Sequence, residues 1–110
     1  MIIASGDIYA RIPDREQVTA LKRGTQERVR EQPGCLYYAF AETLDDPGHF
    51  VVVAQWQDQG ALDAHYRSEV FADYQAQVGV HLVRSSELRV FEASGALSVE
   101  PQPIDPQQDG

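Results

Sequence analysis

The fold is decided by the stretch from Pro33 to Trp56, PGCLYYAFAETLDDPGHFVVVAQW. Two segments rich in aromatic and β-branched residues, 35–44 and 49–56, flank a central Asp46-Pro47-Gly48. Residues of these types favour strands. Proline presets φ for the second position of a β-turn, and glycine accepts the positive φ of the third position of a type II turn. The stretch therefore predicts a β-hairpin closed by a type II turn.

The alternation of side chains in this hairpin predicts a sheet that is apolar on both faces. In the first strand Leu36, Tyr38 and Phe40 oppose Cys35, Tyr37, Ala39 and Ala41, and in the second strand Phe50, Val52, Ala54 and Trp56 oppose Val51, Val53, Gln55 and Gln57. An antiparallel sheet with one solvated face would show a polar side. One layer of helices covers only one face, and a second copy related by two-fold symmetry is the simplest cover for the other. The sequence therefore predicts a homodimer.

Before the hairpin, the pattern predicts a strand and a helix. Residues 2–12 alternate as a first strand. Asp14 is the predicted N-cap of the helix, with Gln17 completing a variant of the capping box. The stripe of this helix that faces the core is predicted to hold Val18, Leu21, Thr25 and Val29, interrupted by Gly24. Pro33-Gly34 ends it.

After the hairpin, two cap residues predict two consecutive helical segments. Asp58 caps a helix over 59–66, and Ser68 caps a second segment that Gly79 ends. In the second segment the apolar residues recur at helical spacing, as Val70, Phe71, Tyr74 and Val78. A last strand follows over 82–93, clearest at 87–92.

The order strand, helix, hairpin, helix, strand predicts an α+β fold of the ferredoxin-like β-α-β-β-α-β type, with a four-stranded antiparallel sheet and helices on one face. The predicted domain covers residues 1–93. Residues 94–110 contain three prolines and few apolar residues, so they form a tail without a core of its own. Its apolar residues are expected to pack on the body or on a partner subunit, and they are Leu97, Val99 and Ile104.

Charge and composition argue against a nucleic-acid-binding, a membrane-spanning or a disulfide-containing protein. The 110 residues carry a formal net charge of −8, which disfavours a nucleic acid or an anionic membrane surface as partner. No apolar run approaches the ~20 residues that span a bilayer, and the first residues lack the basic region of a signal peptide. The single cysteine, Cys35, excludes an internal disulfide and suits a reducing compartment. We therefore expect a cytoplasmic protein.

A set of ordered residues resembles the antibiotic biosynthesis monooxygenase family over about residues 1–93. The set is Pro33-Gly34-Cys35-Leu36-x-Tyr38, Asp45-Asp46-Pro47, Phe50, Trp56-x-Asp58, Ala61-Leu62, Ala64-His65, Ser68 and Phe71. The resemblance implies a dimeric α+β barrel in which each subunit has a pocket between its sheet and its helices. Members of the family include cofactor-free oxygenases of aromatic polyketides, haem-degrading oxygenases and enzymes acting on a quorum-signal sugar phosphate.

The resemblance also implies site residues. His65 matches the Ala-x-His of many members and is the expected base, since histidine titrates near neutral pH. Arg89 matches an arginine that faces an oxyanion in some oxygenases. Independently of the resemblance, the phenol groups of Tyr38, Tyr66 and Tyr74 could orient a substrate hydroxyl. The expected substrate-binding residues are Trp56, Tyr66, Phe71, Tyr74 and Asp7. A structural histidine, a core-filling Trp56, a packing role for each tyrosine, an Arg89 ion pair with Glu87 or Glu92, and a solvent-facing Asp7 remain open alternatives.

Neither a cofactor nor a metal is expected. Haem-degrading relatives carry an asparagine, a tryptophan and an iron-binding histidine, and the matching positions here are Asp7, Trp56 and Gln75. Glutamine is a poor axial ligand, so haem is disfavoured. His49 and His81 lack metal-ligand spacing, and no glycine-rich phosphate loop indicates a flavin.

These features favour a cofactor-independent monooxygenase that oxidises a small aromatic or quinol-like substrate with O₂. A non-catalytic dimer that binds an apolar metabolite, such as a stress-related protein, is the first alternative. An isomerase or lyase acting on a small sugar-derived signal is the second. The Ser-x-His-Phe of such sugar enzymes is broken at Val70, and the arginines that a phosphate would need are scattered, at positions 11, 67, 84 and 89.

Overall fold

The computed structural model describes residues 1–84, 86–95 and 97–99. Its elements in chain order are β1 (Ile2–Tyr9), α1 (Arg15–Arg30), β2 (Cys35–Glu42), β3 (His49–Trp56), α2 (Gln59–Tyr66), α3 (Glu69–Val78) and β4 (Glu87–Glu92). Short 3₁₀ turns occupy Ile12–Asp14 and Gly79–His81. The four strands form one antiparallel sheet in the order β2-β3-β1-β4. This arrangement confirms the ferredoxin-like fold.

The hairpin has the predicted turn. The amide of His49 donates to the carbonyl of Asp46 over 3.0 Å, and Gly48 has φ of +84°. Both features are those of a type II turn with glycine in its third position. Strand β2 ends at Glu42 rather than at the predicted Leu44, and Leu44 is fully exposed.

A bulge in β2 overturns part of the predicted alternation. The pairing with β3 shifts between Cys35 and Tyr37, so Leu36 has no partner and is exposed. Cys35 consequently pairs with Trp56 and joins its face of the sheet. The prediction that Leu36 shares a face with Tyr38 and Phe40 is wrong, because an extra residue reverses the parity of the strand.

The first strand is shorter than predicted. It ends at Tyr9, and Ala10 forms only an isolated bridge with Leu82. The predicted strand over 82–93 is likewise reduced to Glu87–Glu92. The cap of α1 also differs. The carboxylate of Asp14 makes no cap hydrogen bond and instead accepts from Arg11 Nε over 3.1 Å and His81 Nδ1 over 2.9 Å, which joins the two 3₁₀ turns.

The helices cover one face of the sheet and leave the other open. Helices α2 and α3 are capped as predicted. Asp58 Oδ1 accepts from Ala61 N over 2.8 Å, and Ser68 Oγ accepts from Phe71 N over 3.2 Å. On the open face, apolar side chains are exposed, namely Tyr37, Val53 and Phe91. The homodimer that this face suggests stays a prediction.

The predicted packing of the tail, residues 94–110, is not tested by the few tail residues that the structure describes. Leu97 is 96% and Val99 is 87% exposed in the single subunit. Ile104 lies outside the described residues. The boundary at residue 93 therefore stays a prediction. Within the described residues, none of the helices has the length and apolar character that crossing a membrane requires.

Candidate functional site

A cavity of about 460 Å³ lies between the sheet and helices α2 and α3. Its floor is built from small residues, because Ala4 pairs with Ala54 on the neighbouring strand and Gly6 pairs with Val52. Missing side-chain volume on two adjacent strands leaves space beneath the helices. The volume falls within the range typical of small-molecule sites.

Aromatic side chains form the walls of this cavity. Six of the predicted site residues line it together, and they are Tyr38, Trp56, His65, Tyr66, Phe71 and Tyr74. Trp56 and Leu62 are buried in the core, and the indole stacks on the His65 ring at 4.8 Å with 27° between the planes. Trp56 therefore fills the core and lines the cavity at once.

His65 is enclosed by rings. Tyr38, Tyr66 and Phe71 lie 5.6, 5.2 and 5.3 Å from it, measured between ring centroids. Its Nδ1 donates to Gln32 Oε1 over 2.8 Å, since an amide oxygen can only accept. Burial lowers the pKa of His65 from 6.5 to about 4, so the imidazole is neutral at pH 7. Nε2 has no hydrogen-bond partner among the described residues and carries the free lone pair.

The tyrosines supply hydrogen-bond donors. Burial raises the pKa of Tyr38, Tyr66 and Tyr74 above that of an exposed phenol. All three are therefore protonated at neutral pH and can donate to an oxygen in the cavity.

A buried lysine that the sequence did not predict, Lys22, contacts the cavity wall through Tyr74. Lys22 is 2% exposed, and its Nζ donates to Tyr74 Oη over 2.5 Å. Burial lowers its pKa from 10.5 to about 7. The buried residues of α1 are Val18, Lys22, Thr25 and Val29, where the predicted stripe had Leu21 in place of Lys22. The spacing 18, 22, 25, 29 is that of one helical face and could have predicted the burial of Lys22. It was not used because lysine is rarely buried.

Asp7 and Arg89 do not belong to this cavity. Strand alternation puts Ile2, Ala4 and Ile8 on the helix side, so Asp7 points to the open face, and Arg89 opposite Ser5 points there too. Asp7 Oδ1 lies 2.8 Å from His49 Nε2, and its Oδ2 lies 3.8 Å from Arg89. Arg89 is exposed and also lies 3.9 Å from Glu87, which is the ion pair that the sequence left open. The expected oxyanion role of Arg89 therefore has no support within a single subunit.

Comparison with known proteins identifies the family. The sequence matches the family model described as antibiotic biosynthesis monooxygenase over residues 1–77. The chain belongs to the antibiotic biosynthesis monooxygenase family. Its resemblance to this family, inferred above from scattered residues, is thereby confirmed.

Known structures share both fold and length with this family member. A crystal structure described as an antibiotic biosynthesis monooxygenase is 27% identical, with a TM-score of 0.81, and the match covers 86% of this chain and all (100%) of that one. Rv0793 from Mycobacterium tuberculosis is also 27% identical, with a TM-score of 0.80 over 88% of this chain and 98% of its own. An uncharacterized Synechocystis protein is 25% identical over 91 residues, which are 83% of this chain and 62% of that protein.

The cavity of this antibiotic biosynthesis monooxygenase family member is poor in charge. Among the described residues that line it there is neither lysine nor arginine, and the carboxylate of Glu87 lies on the open face, 3.9 Å from Arg89. A phosphorylated ligand would find no counter-charge there. Gln75 lines the wall at the position that, by the family resemblance, would carry the iron ligand of haem-degrading relatives, and glutamine is a poor ligand for haem iron. Three or more potential metal ligands do not converge anywhere in the described ranges.

Proposed function

We propose that this protein binds a small, planar aromatic or quinol-type molecule in the cavity and oxidises it with O₂ without a cofactor. The observation that carries the proposal is the cavity itself, with aromatic walls, phenolic donors and the free Nε2 of a neutral His65. Apolar walls with a few convergent polar groups are typical of small-molecule sites. Membership of the family supports the same reaction class.

In this proposal His65 receives the first proton. A hydroxyl of the substrate donates to Nε2 and transfers its proton there, while Gln32 holds the ring through Nδ1. Because burial lowers the pKa of His65 to about 4, the transfer is favourable only when the new anion stays beside the imidazolium. The low dielectric of the aromatic enclosure strengthens that ion pair. The phenols of Tyr38 and Tyr66 can donate to the anion.

The substrate then supplies the electrons. The anion gives one electron to O₂, the two radicals combine into a hydroperoxide on a ring carbon, and loss of water leaves a carbonyl. Across the sequence the O–H and one ring C–H of the substrate react with one O₂ to give two C=O groups and one H₂O, and the proton held by His65 leaves with that water, so atoms and electrons balance. The protein contributes orientation, exclusion of water and stabilisation of charge.

The test is O₂ uptake with dihydroxyanthracene-type quinols. We expect uptake above the protein-free rate, and a loss of about 100-fold or more in His65→Ala, as for a missing acid–base group. His49→Ala is the matched control, because His49 lies with Asp7 on the open face and should leave the rate unchanged. Uptake equal to the blank with every quinol would refute the oxygenase.

The low pKa of His65 favours a second candidate, a non-catalytic dimer that binds an apolar metabolite. An imidazole that resists protonation is a weak base, yet it is still a good hydrogen-bond acceptor. A binder would keep its ligand within a few-fold in His65→Ala, whereas the oxygenase would lose its rate. The isomerase or lyase alternative is less favoured, because none of the described lining residues carries a positive charge that could pair with a phosphate.

We also propose that the open face is covered by a second copy of the chain, as in the dimeric barrel that the family implies. The exposed Tyr37, Val53 and Phe91 on that face support this assembly. Light scattering should give twice the chain mass, and Val53→Asp should give the single mass. A wild-type protein of single-chain mass at micromolar concentration would contradict the dimer. The cytoplasm remains the proposed location.

A further inference from the structure

Lys22 is the only lysine of the chain, which also has eight arginines and three histidines. It lies on α1 with its Nζ between three aromatic rings. The distances from Nζ to the ring centroids are 4.3 Å for Phe40, 5.3 Å for Phe50 and 5.0 Å for Tyr74. Only the aliphatic stem of a lysine is normally buried, with the charged end left in water. Here the charged end itself is buried, so the position needs an explanation.

No described carboxylate pairs with Lys22. On its outer side a groove of about 190 Å³ is lined by Lys22, Arg23 and Glu42, and Glu42 is held by Arg15 over 2.7 Å. Among the described residues, the hydroxyl of Tyr74 is the one hydrogen-bond partner of Lys22 Nζ. The titratable groups that face Lys22 are therefore Tyr74 from α3, with Glu42 and Arg23 on the groove side. An unpaired buried amine costs stability, which suggests that it serves the cavity.

We propose that Lys22 positions the Tyr74 hydroxyl as the donor to an anionic oxygen of the ligand. A phenol oxygen has one proton and two lone pairs. When the Lys22 ammonium donates to a lone pair, the Tyr74 proton is free for an acceptor inside the cavity. The bond from the ammonium also makes the phenol a stronger donor. This inference rests on the proposed function and names its substrate class, an aromatic molecule that binds as a phenolate or enolate.

The same geometry supplies the positive charge that the cavity lacks. Arg89 lies on the other face of the sheet, whereas Lys22 reaches the cavity through one shared hydrogen bond. Because the pKa of Lys22 is about 7, the amine is partly neutral in the empty protein. A neutral amine can instead accept the Tyr74 proton and leave the cavity without this donor. A bound anion must therefore draw a proton onto Lys22, so binding and protonation are coupled.

The test uses 4-nitrophenol and its methyl ether, 4-nitroanisole, as matched probes at about pH 8, where most of the free phenol is ionised. Protein labelled with carbon-13 at the lysine Cε gives one side-chain resonance, because Lys22 is the only lysine. We expect 4-nitrophenol to move this resonance to its protonated position, and 4-nitroanisole to leave it in place. A purely structural lysine would respond alike to both probes.

Affinity gives the second readout. Lys22→Met and Tyr74→Phe should each weaken 4-nitrophenol about 10-fold, the effect of one charge-assisted hydrogen bond, and leave 4-nitroanisole within about 2-fold. Arg67→Met, which removes an exposed cation just after α2 that lines neither the cavity nor the groove, should change neither affinity. Equal loss of both probes, or an unmoved lysine resonance with bound phenol, would overturn the role of Lys22 and leave the cavity as a binding site. Failure of both probes to bind the wild type would overturn the proposed function, and this inference with it.

Discussion

The burial of Lys22 predicts that the protein becomes more stable as the solution turns alkaline. In the unfolded chain the amine has a pKa near 10.5, and in the folded chain burial lowers the pKa to about 7. Between these values the unfolded state binds more protons than the folded state, so the free energy of unfolding rises with pH. Above pH 10.5 the amine is neutral in both states, and its protonation then costs the folded state nothing. As the pH falls towards 7 the unfolded chain takes up the proton first, and the free energy of unfolding decreases.

The magnitude follows from the two pKa values. One pH unit is worth about 1.4 kcal/mol where only the unfolded state is protonated, which gives on the order of 3 kcal/mol between pH 7 and 9.5. That is a large share of the roughly 5–15 kcal/mol that a small domain has in total. Lys22→Met removes the titrating group and should lose this rise. At pH 7 the variant should be the more stable protein, because an apolar side chain replaces an unpaired buried amine.

The assay is urea unfolding followed by far-UV circular dichroism at pH 7 and 9.5, at one fixed protein concentration. Other groups also contribute to the pH dependence, among them the Cys35 thiol, whose pKa burial raises, but their contribution is the same in wild type and variant. Arg67→Met, which removes an exposed cation outside the surroundings of Lys22, is the control and should keep the wild-type rise. If wild type and Lys22→Met change in parallel between the two pH values, Lys22 is not buried as an unpaired amine and the reasoning fails.

Three further predictions test other parts of the structure. Since the folded pKa of His65 is about 4 and its ordinary value is 6.5, stability should fall by about 2 kcal/mol from pH 7 to 5, and His65→Phe should lose this acid sensitivity in urea unfolding; an unchanged fall would show that another group is responsible. Ala54→Leu, on the cavity floor, should weaken aromatic probes by about 10-fold or more in fluorescence titrations, because its side chain occupies the ligand's space, whereas Ala72→Leu on the exposed side of α3 should not; equal affinities would place the ligand elsewhere. Gly24→Ala should raise the melting temperature through a gain of about 0.5–1 kcal/mol, since the new methyl group meets nothing within 4 Å. Gly34→Ala should lower the melting temperature, since φ is +80° and the new Cβ would lie 2.5 Å from that of Ala61. A lower melting temperature in the first variant or a higher one in the second would contradict these backbone conformations.

Much of the candidate site was readable because its elements are local. The strand 49–56, the helix 59–66 and the caps Asp58 and Ser68 follow from turn residues, alternation and helical spacing within a few positions. The same spacing brings His65 and Tyr74 to the cavity. Lys22 was missed because its burial depends on Phe40 and Tyr74, which are distant in the chain.

The sequence by itself determined the order of the elements, the hairpin turn and the aromatic character of the site, since each depends on backbone preferences and periodicities within one segment. Only the tertiary structure decided which face of the sheet each side chain joins. Leu36 left its predicted face through a bulge, and Arg89 took the open face because β4 pairs with β1 in the register that sets it opposite Ser5. Register depends on contacts between segments far apart in the chain, and a shift of one residue exchanges the two faces.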